Sequence, residues 1–283
     1  MENHHRHHHA AATNDSSSMI ELLDLDAEVL HAYGSEVMDG IQALAPDPRR
    51  ILDLGSGSGT GTLALAQRFP AADVTALDVS TEFLDHLRDR AQALGVGDRV
   101  HPLAVDLDTT WPTLEAADLV WASMSMHHLA DPGRVLADVL GTLRPGGLLV
   151  VAEMESFPRF LPDDIGVGRP GLEDRCHAVL DSGFAHEMPH RGADWGPHLS
   201  AAGFTVEAQR RFDLHLTPPL PAATARYAEA TLRRMRTGLD GRIDADDLAA
   251  LDTLITSDGP DGIGQRQDLS VRAVRTVWTG RRP

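Results

Sequence analysis

The chain has 283 residues, 42% of them apolar and 24% charged, the balance of an ordinary globular protein with room for a sizeable core. Its formal charge of −17 repels nucleic acid and anionic membranes at long range and argues against both as main partners. A single cysteine, Cys176, excludes an internal disulfide and a cysteine-built metal cluster, and the absence of lysine excludes Schiff-base chemistry. No apolar run approaches the roughly 20 residues of a membrane helix, and nothing at the start reads as a secretory leader. With one thiol, read as buried and inert, the expected setting is the cytoplasm.

The opening MENHHRHHHAAATNDSSS carries five histidines and then small polar residues, so 1–18 read as a disordered or tag-like tail. Residues 19–45 form an amphipathic helical segment containing Tyr33. From Arg50, strand and helix patterns alternate, the rhythm of a mostly parallel sheet covered by helices. RILDL is a buried strand, TGTLALAQRF a helix and DVTALDV the next strand. TEFLDHLRDRAQAL places Phe83, Leu84, Leu87, Ala91 and Leu94 on one helical face, with Gly95 as a stop. RVHPLAV and ADLVWAS are the third and fourth strands. In DPGRVLADVLGTL, Asp131 is placed to cap a helix whose first residue is Pro132, and LLVVAE is a fifth buried strand. Residues 154–192 show no clean period. A short helix around ADWGPHLSAA then leads into a strand near 204–216. Residues 217–268 read as a Pro-rich turn and two helices, and SVRAVRTVWT closes the chain as a β-branched strand.

The stretch ILDLGSGSGTGT sets Gly55, Gly57, Gly59 and Gly61 where the first strand hands over to its helix. A dinucleotide fingerprint, G-x-G-x-x-G, fails there, because its third glycine falls on Thr60 or Thr62 in the two possible registers. The spacing present is D-x-G-x-G-x-G on Asp53, Gly55, Gly57 and Gly59. It resembles the first motif of class I S-adenosylmethionine-dependent methyltransferases. Asp78, ending the second strand, matches the acid that family presents to both ribose hydroxyls. Asp106 in AVDLD matches the acid that accepts from the adenine amino group, with Leu107 beside it. WASMSMHHLADP and LRPGGLLVVAE are similar to its later motifs.

The resemblance implies a Rossmann-like, doubly wound α/β fold with a seven-stranded, mostly parallel sheet, an antiparallel last strand and helical cap segments. The whole of 19–283 is then one methyltransferase domain. Its core is about 49–153, 193–216 and 270–280, and its cap or lid segments are about 19–45, 154–192 and 217–268. The implied cofactor is S-adenosylmethionine, with S-adenosylhomocysteine as product. Expected cofactor-binding residues are Asp53, Gly55, Ser56, Gly57, Gly59, Asp78, Val79, Asp106, Leu107 and Ser123. Backbone at Gly55 and Gly57 can approach the methionine end closely, and the following helix offers free amides to its carboxylate.

Methyl transfer is an in-line displacement, so the protein mainly aligns the nucleophile and excludes water. One of His127 and His128, after the fourth strand, is expected to act as base or to orient the acceptor. Candidate acceptor-wall residues are Tyr33, Met124, Phe157, Arg159, Trp195, Tyr227 and Met235, with Arg159 suited to a carboxylate or phosphate. The arginine run LRRMR reads as an exposed helix face. The DNA amino-methyltransferases carry an Asn/Asp-Pro-Pro-aromatic stretch where this chain has SMSMHH, which favours a small-molecule acceptor over nucleic acid. No metal is expected, since that region offers only Asp131. An NAD-dependent dehydrogenase and a non-catalytic S-adenosylmethionine-binding protein are the alternatives, and the oligomeric state is open.

Overall fold

The computed structural model describes residues 3–283, with side chains described over 16–183 and 188–283. Of the 1–18 tail, residues 1–2 lie outside the described residues and the backbone of 3–18 belongs to the first helix. Two helices, α1 (Asn3–Val29) and α2 (His31–Leu44), come first, broken at Leu30. The alternating core follows as β1 (Arg50–Leu54), α3 (Thr60–Arg68), β2 (Asp73–Asp78), α4 (Thr81–Ala93), β3 (Val100–Ala104), β4 (Ala117–Ser123), α5 (Pro132–Thr142) and β5 (Leu143–Arg159). Then come α6 (Leu172–Glu187), α7 (Trp195–Ala201), β6 (Thr205–Leu216), α8 (Thr224–Leu239), α9 (Ala245–Thr256) and β7 (Val271–Arg281).

The strands form one seven-stranded sheet in the order β3-β2-β1-β4-β5-β7-β6. The first five pair in parallel, and β7 runs antiparallel to both β5 and β6. This is the Rossmann-like arrangement that the resemblance implied. Successive strand residues point to opposite faces, so apolar runs bury both sides of the central strands. Ile51, Val74, Leu119, Leu148 and Val150 join one core cluster. Leu52, Leu77, Val120, Leu149 and Val151 join the cluster on the opposite face, with Trp195 and Trp278. A third cluster lies among the helices outside the alternating core, built from Leu25 and Val29 of α1, Cys176 and Leu180 of α6, Tyr227 and Met235 of α8, and Leu251 and Leu254 of α9.

Helix α6 occupies the segment that lacks a visible apolar period. Its inward positions are Leu172, Glu173, Cys176, His177 and Leu180, correctly spaced but chemically mixed. Glu173 is buried because its carboxylate accepts the Phe160 and Leu161 amides, at 2.8 and 3.1 Å, where β5 ends. Burial pushes the Cys176 thiol up to about 11, which leaves it inert near neutral pH.

At α5, Asp131 caps the helix by accepting the Arg134 amide at 3.0 Å, and Pro132 follows it. Replacing a capping carboxylate by a methyl group typically costs about 1 kcal/mol. Asp131→Ala is therefore expected to lower stability by about 1 kcal/mol in urea unfolding, with an unchanged denaturant slope.

Candidate functional site

The ends of β1, β2 and β4 open onto a single cavity of about 1,580 Å³. Its floor is the glycine turn. Gly55 and Gly59 have φ of +65° and +84°, a region that costs a side-chain-bearing residue roughly 1–2 kcal/mol. Each is also pressed by a neighbour: a β-carbon on Gly55 would lie 2.5 Å from Ser125 Cβ, and one on Gly59 would collide with Leu87 of α4. So these two glycines admit the facing loop and helix as well as leaving the turn's backbone open to the cavity.

Asp53, at the buried end of β1, accepts the Thr62 hydroxyl at 2.5 Å. Burial raises its carboxyl to about 7; Thr62 counters this and the nearby Asp78 adds to it. Asp78 ends β2 with one oxygen accepting the Gly57 amide at 2.8 Å and the other the Ser80 amide at 2.9 Å. One carboxylate thus ties the glycine turn to the start of α4, which Ser80 caps. Val79, beside it, is 70% exposed into the cavity, an unusual position for a valine. Asp106 is exposed after β3 and accepts the Asp108 amide at 2.9 Å, with Leu107 buried next to it. Both line the cavity, as do Ser56 and Ser123.

Helices α1 and α2 close the other side. Asp24 of α1 accepts from the Ser58 hydroxyl at 2.7 Å and from Arg90 at 2.6 Å, and lies 3.1 Å from His86 Nε2. Two residues on, Asp26 accepts from Tyr227 of α8 and, at 2.8 Å, from the buried Arg275 of β7. The helix is thereby fastened to the glycine turn on one side and to α8 and β7 on the other.

The loop after β4 supplies the remaining wall. Met124 holds φ +54°, rare for a residue with a side chain, and faces the cavity. His127 is buried and does not line the cavity; its Nδ1 lies 2.5 Å from Glu153 Oε2. The other Glu153 oxygen accepts the Met126 and His127 amides at 2.9 and 3.3 Å. His128 does line the cavity. Desolvation by the surrounding protein holds its imidazole below the usual range, reinforced by His127 and by Arg234.

The structure gathers all ten expected cofactor residues except Gly59 on the cavity wall, together with Tyr33, Met124 and His128. Gly59 lies just behind, capping α3. Five expected acceptor-wall residues lie elsewhere. Phe157 packs under the Arg191 guanidinium, 4.9 Å from its ring centre, and Arg159 pairs with Asp174. Trp195 is fully buried on the far face of the sheet, and Tyr227 is buried beneath α1, bonded to Asp26. Met235, too, is core rather than wall. Residues that the sequence reading passed over include Asp24, Asp26, Glu153, Arg234 and Arg275. Glu153 carried a signal, an acid closing a five-residue apolar run.

Three buried polar atoms on the wall have no partner: Tyr33 Oη, Ser56 Oγ and Ser125 Oγ. Such atoms are costly unless a polar ligand meets them. Together with the exposed backbone of the glycine turn, the free lone pairs of Asp78 and the apolar surface of Val79, they fit a nucleoside bearing an amino-acid tail. Among the described residues no group of three or more His, Cys, Asp or Glu side chains is placed to hold a metal ion.

Glu153→Ala is expected to cost about 3 kcal/mol in urea unfolding, because it strands two amides and an imidazole in the interior. Glu153→Gln should cost less, since its amide oxygen still accepts. Asp53 makes stability pH-dependent. Unfolded, its carboxyl titrates near 3.8; folded, near 7. Between those values the folded chain holds a proton that the unfolded chain has released, so this group's contribution falls as pH rises from about 4 to about 7. Asp53→Asn removes that loss, and its urea midpoint relative to wild type should climb across the same window.

Residues 51–147 match the family model described as a methyltransferase domain. The trans-aconitate 2-methyltransferase of Methylobacterium radiotolerans is 36% identical over 104 residues, 37% of this chain and 37% of that protein. The enzyme of the same name from Streptomyces coelicolor is 28% identical over 224 residues, 78% of this chain and 71% of that protein. The chain spans between 24% and 56% of the length of the first three curated relatives it matches. A candidate methyltransferase of Bacillus halodurans C-125 shares the fold, with a TM-score of 0.56 and 18% identity over 88% of this chain and 98% of that one. Residues 51–147 thus form a methyltransferase domain, and their Asp-Gly turn and strand order agree with that match.

Proposed function

We propose that this chain transfers the methyl group of S-adenosylmethionine to a small-molecule acceptor, leaving S-adenosylhomocysteine. The observation that carries the reading is one continuous cavity. The ends of β1 and β2 and the loop after β3, where a nucleoside would be gripped, share it with Tyr33, Met124 and His128. At about 1,580 Å³ it exceeds the 300–1,000 Å³ typical of a single-ligand pocket, so a cofactor and an acceptor fit together. The names of the relatives, trans-aconitate 2-methyltransferases, favour a small acceptor. A cytoplasmic setting belongs to the same reading, supported by the one buried thiol. Among the described residues no helix is long and apolar enough to cross a membrane.

The cofactor supplies an electrophilic methyl group on a sulfonium. The protein's part is to bind, orient and dehydrate. Asp78 accepts from the ribose hydroxyls, Asp106 from the adenine amino group, and Val79 and Leu107 supply apolar cover. The amides of the glycine turn and the start of α3 receive the carboxylate of the amino-acid tail. Asp53 sits buried beneath, and a cation above it would favour its ionised form. Of the two histidines, His128 faces the acceptor side. Its lowered pKa leaves more of it neutral, and so able to accept a proton, than a free imidazole at the same pH. His127 acts through the loop, with its ring held by Glu153.

Isothermal calorimetry with S-adenosylhomocysteine tests the cofactor half. Binding is expected in the wild type, weakened at least about tenfold in Asp78→Ala, which removes charge-assisted bonds of about 1.5–3 kcal/mol. No heat from wild-type protein stripped of carried-over ligand would refute the reading. The acceptor half predicts that label from methyl-tritiated cofactor passes to a low-mass product, and far more slowly in His128→Ala.

A further inference from the structure

Helix α8 carries four arginines. Arg226 pairs with Glu21, Arg233 with Glu229, and Arg236 with Asp252 and Asp240. Arg234 pairs with nothing. Among all arginines with described side chains it is the only one without a hydrogen bond or ion pair. It is also part of the cavity wall, facing the side that holds His128. The other two arginines of that wall are neutralised, Arg68 by Asp39 and Arg90 by Asp24.

The helix explains the direction. Tyr227, Thr231 and Arg234 follow at intervals of four and three residues, so they share one stripe. Tyr227 and Thr231 are buried on that stripe beneath α1, and Arg234 continues it to where the cavity begins. Arg233 and Arg236 leave at other angles and find acids on α8 itself and on α9. The wall is rich in carboxylates, yet none of them, Glu28 included, comes within ion-pair distance of Arg234. An acid-lined cavity in a chain of charge −17 attracts cations generally. An uncompensated guanidinium therein marks one point where a negative group is favoured, and its planar fork suits a carboxylate.

We infer that Arg234 is a specificity-determining residue that receives a carboxylate of the acceptor, so that the substrate class is small organic acids. The inference rests on the methyl-transfer reading. The acids of the turn and strand ends then hold the cationic cofactor, and Arg234 selects an acceptor of opposite charge across the cavity. His128 lies on the same wall, so an acceptor anchored at Arg234 is held beside it. The expectation that Arg159 would take such a group gives way to this one, since Arg159 is engaged with Asp174 outside the cavity.

The test uses the full chain saturated with S-adenosylhomocysteine and titrated calorimetrically with trans-aconitate and, separately, with malonate. Binding of at least one of the two is expected, and the trimethyl or dimethyl ester of that acid should not bind. Arg234→Gln should weaken the acid about tenfold or more, while Arg234→Lys, which keeps the charge but not the fork, should recover part of the loss. Affinity for S-adenosylhomocysteine itself should be unchanged in both variants, which also reports that they fold. If the loaded wild type binds neither acid, or if Arg234→Gln binds as tightly as wild type, the inference is overturned while the methyl-transfer reading stands. Failure of the wild type to bind S-adenosylhomocysteine instead overturns both.

Discussion

Strand β1 lies between β2 and β4, so the chain leaves it towards one side of the sheet and later returns on the other. Where the connections part company, no loop can cover the strand ends, and a crevice opens at their carboxyl edge. Every feature of the site follows from this constraint. The glycine turn, Asp78 and the loop after β4 are all exits from strands bordering that opening. The central strands are buried on both faces, so the crevice has a rigid floor. What varies is the set of segments laid over it.

The electrostatics of the crevice are uneven in a useful way. Its deep end is lined by carboxylates that the protein controls with backbone amides and hydroxyls: Thr62 for Asp53, Gly57 and Ser80 for Asp78. These bonds hold each acid in place without adding a counter-charge, so the floor keeps its attraction for a cation. The outer wall differs, because α3, α4 and α8 bring Arg68, Arg90 and Arg234, and the first two are balanced by Asp39 and Asp24. Glu153 is a third case. It is buried far from water, and it spends both oxygens on one loop, setting Met126 and His127 so that the neighbouring His128 emerges into the opening.

Much of the core was legible because its rules are local. RILDL, DVTALD and ADLVWAS are β-branched or apolar runs between turn residues, and Asp131-Pro132 announces α5 by capping chemistry alone. The Asp53 to Gly59 spacing pointed to the cavity floor, since a turn that must adopt positive φ leaves glycine in the sequence. The segments outside the core were harder. Helix α6 turns Glu173 and His177 inward, so hydrophobic periodicity is hidden although the geometric period is intact. Trp195 and Tyr227 looked suited to a binding wall, but aromatic rings fill interiors equally well, and which occurs depends on long-range packing. Arg234 was invisible among its neighbours, because only the fold reveals which of several adjacent arginines lacks an acid.

Helix α1 spans the opening, with Asp24 anchored to the glycine turn and α4 and Asp26 anchored to α8 and β7. Exchange of anything lodged underneath therefore proceeds through rupture of ionic contacts that are partly open to solvent. Mobile ions compete for such contacts. The residence time of an occupant should consequently shorten as ionic strength rises, even where its equilibrium contacts with the floor are mostly neutral.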